Sequence, residues 1–219
     1  MDYIELTQHW NYFCSLAERL DETKHYIDHC ACQRNGSYQL IHGNVYSDIF
    51  KQIILLTASE FEVMSKALCL KKGKDEEGIV SISKTILGCF PKIVDAEVLT
   101  SYWVDKPFCE WRVDKNDKVL GIDWWKAYTS IKHGNKGSIK LATLKNAVES
   151  LAALYIIDLY LMYVVFGNLS LSFSFPPVYF KSKYTAVPVS SGEGKLPDYG
   201  DLSPQELFNL KYPDIFKIE

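Results

Sequence analysis

The chain has 219 residues, 47% of them hydrophobic and 14% aromatic, with 27 acidic residues against 24 basic ones. This length and composition are typical of a globular chain with one sizeable core, and they exclude disordered and collagen-like classes. The net charge of −3 excludes a protein that coats nucleic acid through its overall field, so any anion binding has to be local. Residues 1–10 lack the pattern of a secretory signal, so a cytoplasmic protein with six reduced cysteines is expected.

Hydrophobic periodicity predicts an all-α fold, a bundle of about four or five helices. The predicted helices cover residues 6–29, about 47–72, 79–90, a segment that opens at the N-cap Asp123, and about 141–166. Gly73 closes the second helix and Pro91 ends the third. Residues 92–121 are aromatic and irregular, which is typical of a long connecting loop or a small hairpin.

Residues 151–167 form the most apolar stretch of the chain. The run falls short of the roughly 20 residues that a membrane span needs, and Asp158 interrupts it. A central helix, packed on all sides within the bundle, explains this stretch better than a membrane span. We therefore expect no membrane association.

The character of the chain changes after Gly167. Residues 169–175, LSLSFSF, alternate with a period of two, which predicts a short strand, and six of the eight prolines lie between 176 and 213. The sequence therefore predicts a helical domain at 1–167 and an extended, proline-rich C-terminal arm at 168–219. Because the strand edge needs covering, we expect the arm to pack on a partner subunit of a homodimer.

Residues 124–148 carry five lysines and a histidine but no carboxylate. On a helical wheel, Trp124, Ala127, Tyr128 and Ile131 make a buried stripe, and the opposite face carries Lys126, Thr129, Ser130 and His133. Lys126 and His133 are two turns apart, so together they can hold a phosphate and move a proton near pH 7. The alternative is an ordinary solvated helix end, where lysine and histidine are common capping residues.

Glu60 is predicted to lie beside the apolar face of the second helix. A carboxylate there is costly unless it is paired or hydrogen-bonded, so we expect it to accept from a tryptophan, a tyrosine or His133. It would then either orient a functional group or act as a polar anchor between helices.

A metal or a cofactor is not expected. His25, His29, Cys30 and Cys32 are the only ligand-like group, and their spacing does not suit a closed zinc site. The sequence has no phosphate-binding Walker loop, no dinucleotide-binding glycine motif and no nucleophile elbow.

Three segments carry a resemblance to a known family: SDIFKQIILLTASEFEVMSKALC at 47–69, WWKAYTSIKHG at 124–134 and ATLKNAVESLAALYIIDLYL at 142–161. They resemble a bacterial group of the HEPN superfamily, over about residues 45–166. That resemblance implies a helical bundle that pairs as a homodimer. Many HEPN proteins are metal-independent ribonucleases of defence, toxin–antitoxin and RNA-processing systems, with an arginine and a histidine brought together across the dimer.

His133 matches the family histidine, whereas Lys126 stands where an arginine is usual and Thr129 stands where an asparagine is usual. Lysine keeps the charge but not the bidentate fork of arginine. The resemblance implies a ribonuclease or RNA-binding effector with three catalytic residues: His133 is the general acid or base, Lys126 is the cation that holds the reacting phosphate, and Glu60 orients His133. The remaining implied site residues, which bind RNA phosphate, are Lys132, Lys136, Thr129 and Ser130.

Two alternatives stay open on the sequence. One is a non-catalytic HEPN-type module that binds a nucleotide, an RNA end or a partner protein encoded nearby, which the missing arginine favours. The other is a structural dimerisation protein whose lysine-rich segment is only a solvated face.

Overall fold

A computed structural model of the protein describes residues 1–34, 37–100, 104–166 and 177–182. The five α-helices within these ranges are α1 (Tyr3–Glu22), α2 (Asp48–Lys71), α3 (Ile79–Cys89), α4 (Asp123–Lys132) and α5 (Leu144–Phe166). The strands there are only two to four residues long. The predicted all-α fold of about five helices is confirmed.

The core is built around α5, which packs along the buried face of α2 and also contacts α1 and α4. Nearly every side chain from Ala147 to Met162 is buried, because apolar residues cover the whole circumference of this helix. Within the described residues α5 is the one helix long and apolar enough to cross a membrane, with a mean hydropathy of 1.7, and 78% of that stretch is buried inside the protein. The central helix of a helical bundle can have the same length and apolar composition as a membrane-spanning helix.

The first helix begins earlier and ends earlier than predicted. Asp2 caps it, since its side chain accepts from the Glu5 amide while the Glu5 side chain accepts from the Asp2 amide. The predicted end near residue 29 is wrong: α1 stops at Glu22 and one 3-10 turn follows. His29 is buried and bonds to Thr23 Oγ1 at 2.9 Å, a contact that requires the chain to leave the helix and turn back.

Helices α2 and α3 lie close to their predicted bounds. The Ser47 hydroxyl caps α2, and Gly73 follows its end with a positive φ of 72°. Two other boundaries were predicted wrongly. Asp123 is the first residue of α4 rather than its N-cap, and α5 begins at Leu144 because a 3-10 turn occupies Ser138–Leu141.

Short strands fill the connections. The hairpin of β1 (Ala31–Arg34) and β2 (Ser37–Leu40) precedes α2, where only a loop was predicted. Between α3 and α4, β3 (Val98–Thr100) pairs with β4 (Val104–Asp105), and β5 (Arg112–Val113) pairs with β6 (Val119–Leu120). The hairpin alternative predicted for 92–121 therefore describes this region better than a loop.

The described part of the C-terminal arm, residues 177–182, packs on the chain's own core. The predicted strand at 169–175 lies outside the described residues, but β7 (Phe180–Ser182) pairs antiparallel with β3. Tyr179 and Phe180 are buried, and the Phe180 ring stacks on Tyr155 of α5 with centroids 6.1 Å apart. This segment covers one edge of β3 within the same chain.

Candidate functional site

The short helix α4 carries most of the predicted site. Its buried stripe is the predicted one, and Trp124 packs edge-to-face on Phe61 of α2 with centroids 5.0 Å apart. This contact fixes the helix against the bundle, so each polar side chain of α4 has a defined direction. The two ends of α4 carry opposite kinds of surface.

The C-terminal end is basic and open to solvent. We use the name basic end for Lys132, His133 and Lys136, all of which are exposed. The Lys132 ammonium donates to the Tyr128 hydroxyl at 3.1 Å and lies 5.3 Å from the centre of that ring. This hydrogen bond, helped by the charge of Glu62, raises the pKa of Lys132, so the group stays cationic.

His133 terminates α4, and its backbone N–H donates to the Thr129 carbonyl at 3.1 Å. Within the described ranges, no side chain hydrogen-bonds to its imidazole. The ring is therefore accessible to a ligand, and no group in the described part of the chain orients it.

Lys126 lies on the same helix but is already paired. Its ammonium contacts the Asp123 carboxylate at 2.7 Å, and both side chains are more than half exposed. Thr129 donates to the Trp125 carbonyl, and Ser130 accepts from the Asn135 amide. These three residues therefore make local contacts within α4 and its exit turn, and an exposed pair such as that of Lys126 is weak enough to exchange for a ligand.

Glu60 does not contact His133. Its carboxylate pairs with His9 Nδ1, which joins α2 to α1. The pKa of the nearby Tyr12 is raised by burial and by the Glu60 charge. Glu60 is therefore a polar anchor between α2 and α1, and the expected orientation of His133 by Glu60 does not occur within the chain.

The N-terminal end of α4 borders an acidic cleft of about 580 Å³. The name acidic cleft refers to the space lined by Asp105, Asp123, Trp124, Lys145 and Glu149, together with residues of the β2–α2 connection. Asp105 accepts from the Lys106 amide through one oxygen, while the other oxygen is buried without a partner among the described residues. The Trp124 indole N–H is unpartnered in the same way.

The cleft changes the titration of its carboxyl groups. Burial raises the pKa of Asp105 to about 6. Burial and the nearby Asp105 charge raise the pKa of Glu149 to about 7, although Lys145 lies 3.6 Å away and opposes the shift. Both groups can therefore exchange a proton near neutral pH, which is a property that clusters at functional sites.

A glycine positions α4 beside the cleft. Gly121 has a φ of +79°, and a Cβ added there would lie 1.9 Å from the Glu110 carbonyl oxygen. The close approach lets the chain leave β6 and enter α4 within two residues. A larger residue would displace the backbone that carries Asp123 and Trp124.

His29 is the most buried member of the ligand-like group at 25–32, and its role is structural. His29 bonds through its two ring nitrogens to Thr23 and to the Tyr179 hydroxyl, each at 2.9 Å, and burial lowers its pKa to about 4. Within the described part of the chain, no group of three His, Cys, Asp or Glu side chains is placed to hold a metal ion.

Comparison with models of known families, with curated proteins and with solved structures finds no significant match to this chain. The site therefore has to be interpreted from its own geometry. Sequence reasoning missed His9, Asp105 and Glu149. No local pattern in the sequence indicated the cleft, because its lining comes from four separate stretches of the chain.

Proposed function

We propose that the protein is a HEPN-like, cytoplasmic RNA-binding effector that acts as a homodimer and cleaves RNA without a metal ion. The observation that carries this proposal is the basic end, where Lys132, His133 and Lys136 are exposed at the end of a helix fixed by its buried face and in the turn that follows it. Cationic side chains in such an arrangement contact successive phosphates. A role in bacterial defence or toxin–antitoxin biology fits an activity of this kind.

In the proposed reaction His133 removes the proton from an RNA 2′-hydroxyl. The 2′-oxygen attacks the adjacent phosphorus, the bond to the 5′-oxygen breaks, and that oxygen takes up a proton from solvent water as it leaves. The products are a 2′,3′-cyclic phosphate and a free 5′-hydroxyl. Lys132 and Lys126 stabilise the charge on the phosphorane, Lys126 by exchanging Asp123 for the phosphate.

The second candidate function is binding without turnover, of a nucleotide, an RNA end or a partner protein from a neighbouring gene. Two observations favour it over catalysis: Lys126 is already paired with Asp123, and the described part of this subunit supplies no group that orients His133. Either function uses the same basic end, so the two differ in turnover and not in location.

Replacing His133 with alanine separates the candidates. If His133 transfers the proton, cleavage of a single-stranded RNA in EDTA should fall by about 10²- to 10⁴-fold while RNA affinity changes little. Cleavage that survives at the wild-type rate would refute the catalytic assignment. Absence of cleavage by the wild type, with salt-sensitive RNA binding retained, would establish the binding function instead.

The matched control is His25→Ala, which removes an exposed histidine far along the chain from α4. Both variants should keep the wild-type circular dichroism and melting temperature. If neither RNA binding nor cleavage can be measured at low salt for the wild type, the basic end is a solvated helix end and the proposal fails.

A further inference from the structure

The acidic cleft takes no part in the proposed RNA reaction. Its volume of about 580 Å³ lies within the range of about 300 to 1,000 Å³ that small-molecule sites occupy. Its lining comes from β2 and the connection after it, from residues 105–110, from the start of α4 and from the first turns of α5. Because two helices contribute to the walls, the shape of the cleft is fixed by the fold and does not depend on one loop.

One carboxylate in the cleft lacks the partner that a buried oxygen requires. Asp105 accepts from the Lys106 amide through one oxygen, and its other oxygen is buried without a partner among the described residues. The charge of Asp105 raises the pKa values of Glu149 and Cys109, which also line the cleft, so this carboxyl group faces the same space. A buried acceptor without a donor is costly, so a ligand that donates there would be stabilised.

The positive charges around the cleft do not balance Asp105 and Glu149. Lys145 lies 3.6 Å from Glu149, but its side chain is 56% exposed, and the other lining lysine, Lys106, pairs with Glu97 at 2.8 Å. Burial raises the pKa of Asp105 to about 6, and burial together with the charge of Asp105 raises that of Glu149 to about 7. Both carboxyl groups are therefore destabilised when ionised, and an added cation would relieve this.

The arrangement suits an organic cation better than a metal ion. Within the described residues, no group of three His, Cys, Asp or Glu side chains is placed to hold a metal. The third carboxylate of the name-giving set, Asp123, is already paired with Lys126 at 2.7 Å. Calcium and magnesium need six or more oxygen ligands in defined geometries, whereas a guanidinium or ammonium group carries several N–H donors that can bridge two carboxylates.

The rest of the lining suits the remainder of such a ligand. Pro107 and Val148 are buried and supply an apolar wall for a short carbon chain. Trp124 also lines the cleft and is only 1% exposed, and its indole N–H has no partner among the described residues. An oxygen atom on the ligand would satisfy that donor.

We propose that the acidic cleft is a binding site for a small organic cation, whose guanidinium or ammonium group donates to Asp105 and Glu149. The ligand supplies the donor that the buried Asp105 oxygen lacks and the positive charge that Lys145 does not provide. This site lies at the other end of α4 from the basic end, and its test needs no RNA. Failure of either proposal therefore leaves the other standing.

The test is calorimetric titration of the full-length chain with butylguanidine and with butylurea, which has nearly the same shape but no charge. A cation of this size is expected to bind with a dissociation constant on the order of 0.1 to 1 mM. Butylurea should bind at least about 10-fold more weakly, because it cannot form charge-assisted hydrogen bonds. Equal binding of the two compounds would overturn the proposal, and so would the absence of butylguanidine binding.

A charge-removing substitution locates the binding. Glu149→Gln keeps the shape of the side chain and should weaken butylguanidine binding by roughly 10-fold or more. The matched control is Glu18→Gln, which removes the same charge from an exposed position of α1 outside the cleft. Equal effects of the two substitutions would show that butylguanidine responds to the total charge of the protein, which would overturn the assignment to the cleft.

The pH dependence identifies the pair that binds the cation. Protons compete with the ligand below the raised pKa values of about 6 and about 7, so butylguanidine affinity should rise by about 10-fold or more from pH 5 to pH 8. The other ionisable groups of the lining are Lys106, Cys109, Glu110, Asp123 and Lys145. Glu149→Gln should flatten the rise if Glu149 and Asp105 cause it. A rise that this substitution leaves unchanged would overturn the proposed role of the pair.

Discussion

The two ends of α4 differ in what surrounds their charges. At the basic end the lysines and His133 are exposed to solvent. At the acidic cleft, Asp105 and Glu149 are half-buried, and burial raises their pKa values to about 6 and about 7. The composition of residues 124–148 is enough to predict the basic end. The acidic cleft forms only when separate stretches of the folded chain pack together.

Substitutions at the two ends should therefore affect different properties of the protein. Exposed cations attract an anionic ligand from a distance but contribute little to stability. Enclosed carboxyls are costly for the fold, so substitutions there should change stability before they change RNA binding. The following predictions test that division, from the largest expected effect to the smallest.

Trp124→Ala should lower the free energy of unfolding by about 3 to 5 kcal/mol, because it leaves a cavity between α4 and α2. Trp124→Phe should cost much less, since the indole N–H that it removes has no partner in the described residues. Urea denaturation measures both. A large loss of stability in Trp124→Phe would show that the indole N–H has a structural partner. The control Thr129→Ala, on the exposed side of α4, should change the free energy of unfolding by less than about 0.5 kcal/mol.

Glu149→Gln should stabilise the protein above pH 7, by an amount on the order of 1 kcal/mol. The folded-state pKa of about 7 exceeds the ordinary 4.5, so the native protein binds a proton more tightly than the unfolded chain. This carboxyl therefore lowers stability as the pH rises from about 4.5 to 7, and the deficit is complete above that range. Urea midpoints at pH 5 and pH 8 test this, with the exposed Glu110→Gln as control; equal gains at both pH values would contradict the assignment.

Lys136→Ala should weaken RNA binding and reduce the slope of log K against log salt by roughly one unit, since one phosphate contact is lost. Its stability should not change. Lys115→Ala, an exposed lysine in the β5–β6 turn, is the control and should leave the salt slope unchanged. Equal effects of the two substitutions would show that RNA responds to total charge and not to the basic end.

Lys126→Arg should have the smallest effect. Arginine keeps the pairing with Asp123 and adds a bidentate fork, so RNA cleavage should be unchanged or modestly faster in single-turnover assays. A clear loss of cleavage would show that the lysine ammonium itself is required. Lys126→Met, of similar length, provides the comparison without a charge.

The helices were predictable because their signals are local. The periodicity of α2 and the apolar composition of α5 are decided within each segment, so their bounds were nearly correct. The β1–β2 hairpin was missed, although Asn35-Gly36 is a dipeptide typical of two-residue hairpin connections. Its strand sequence ACQR lacks the alternation that identifies a half-buried strand.

The site was predictable only in part, for a related reason. The charges of α4 and the exposure of His133 follow from a single helix and its wheel. The partner of Glu60 and the environment of Glu149 depend instead on packing between distant segments: His9 comes from α1 and Asp105 from β4. No periodicity within one segment records such contacts.

The crowding at Gly121 limits how this protein can vary through mutation. Charges along α4 can be exchanged one at a time, because each side chain has solvent to move into. At position 121 the left-handed backbone and the Glu110 carbonyl leave no room for any side chain, so every single substitution should be rejected in a saturation library selected for folded protein. Sequences descended from this one can thus change the surface charges of α4 more freely than the glycine that sets the direction of the helix.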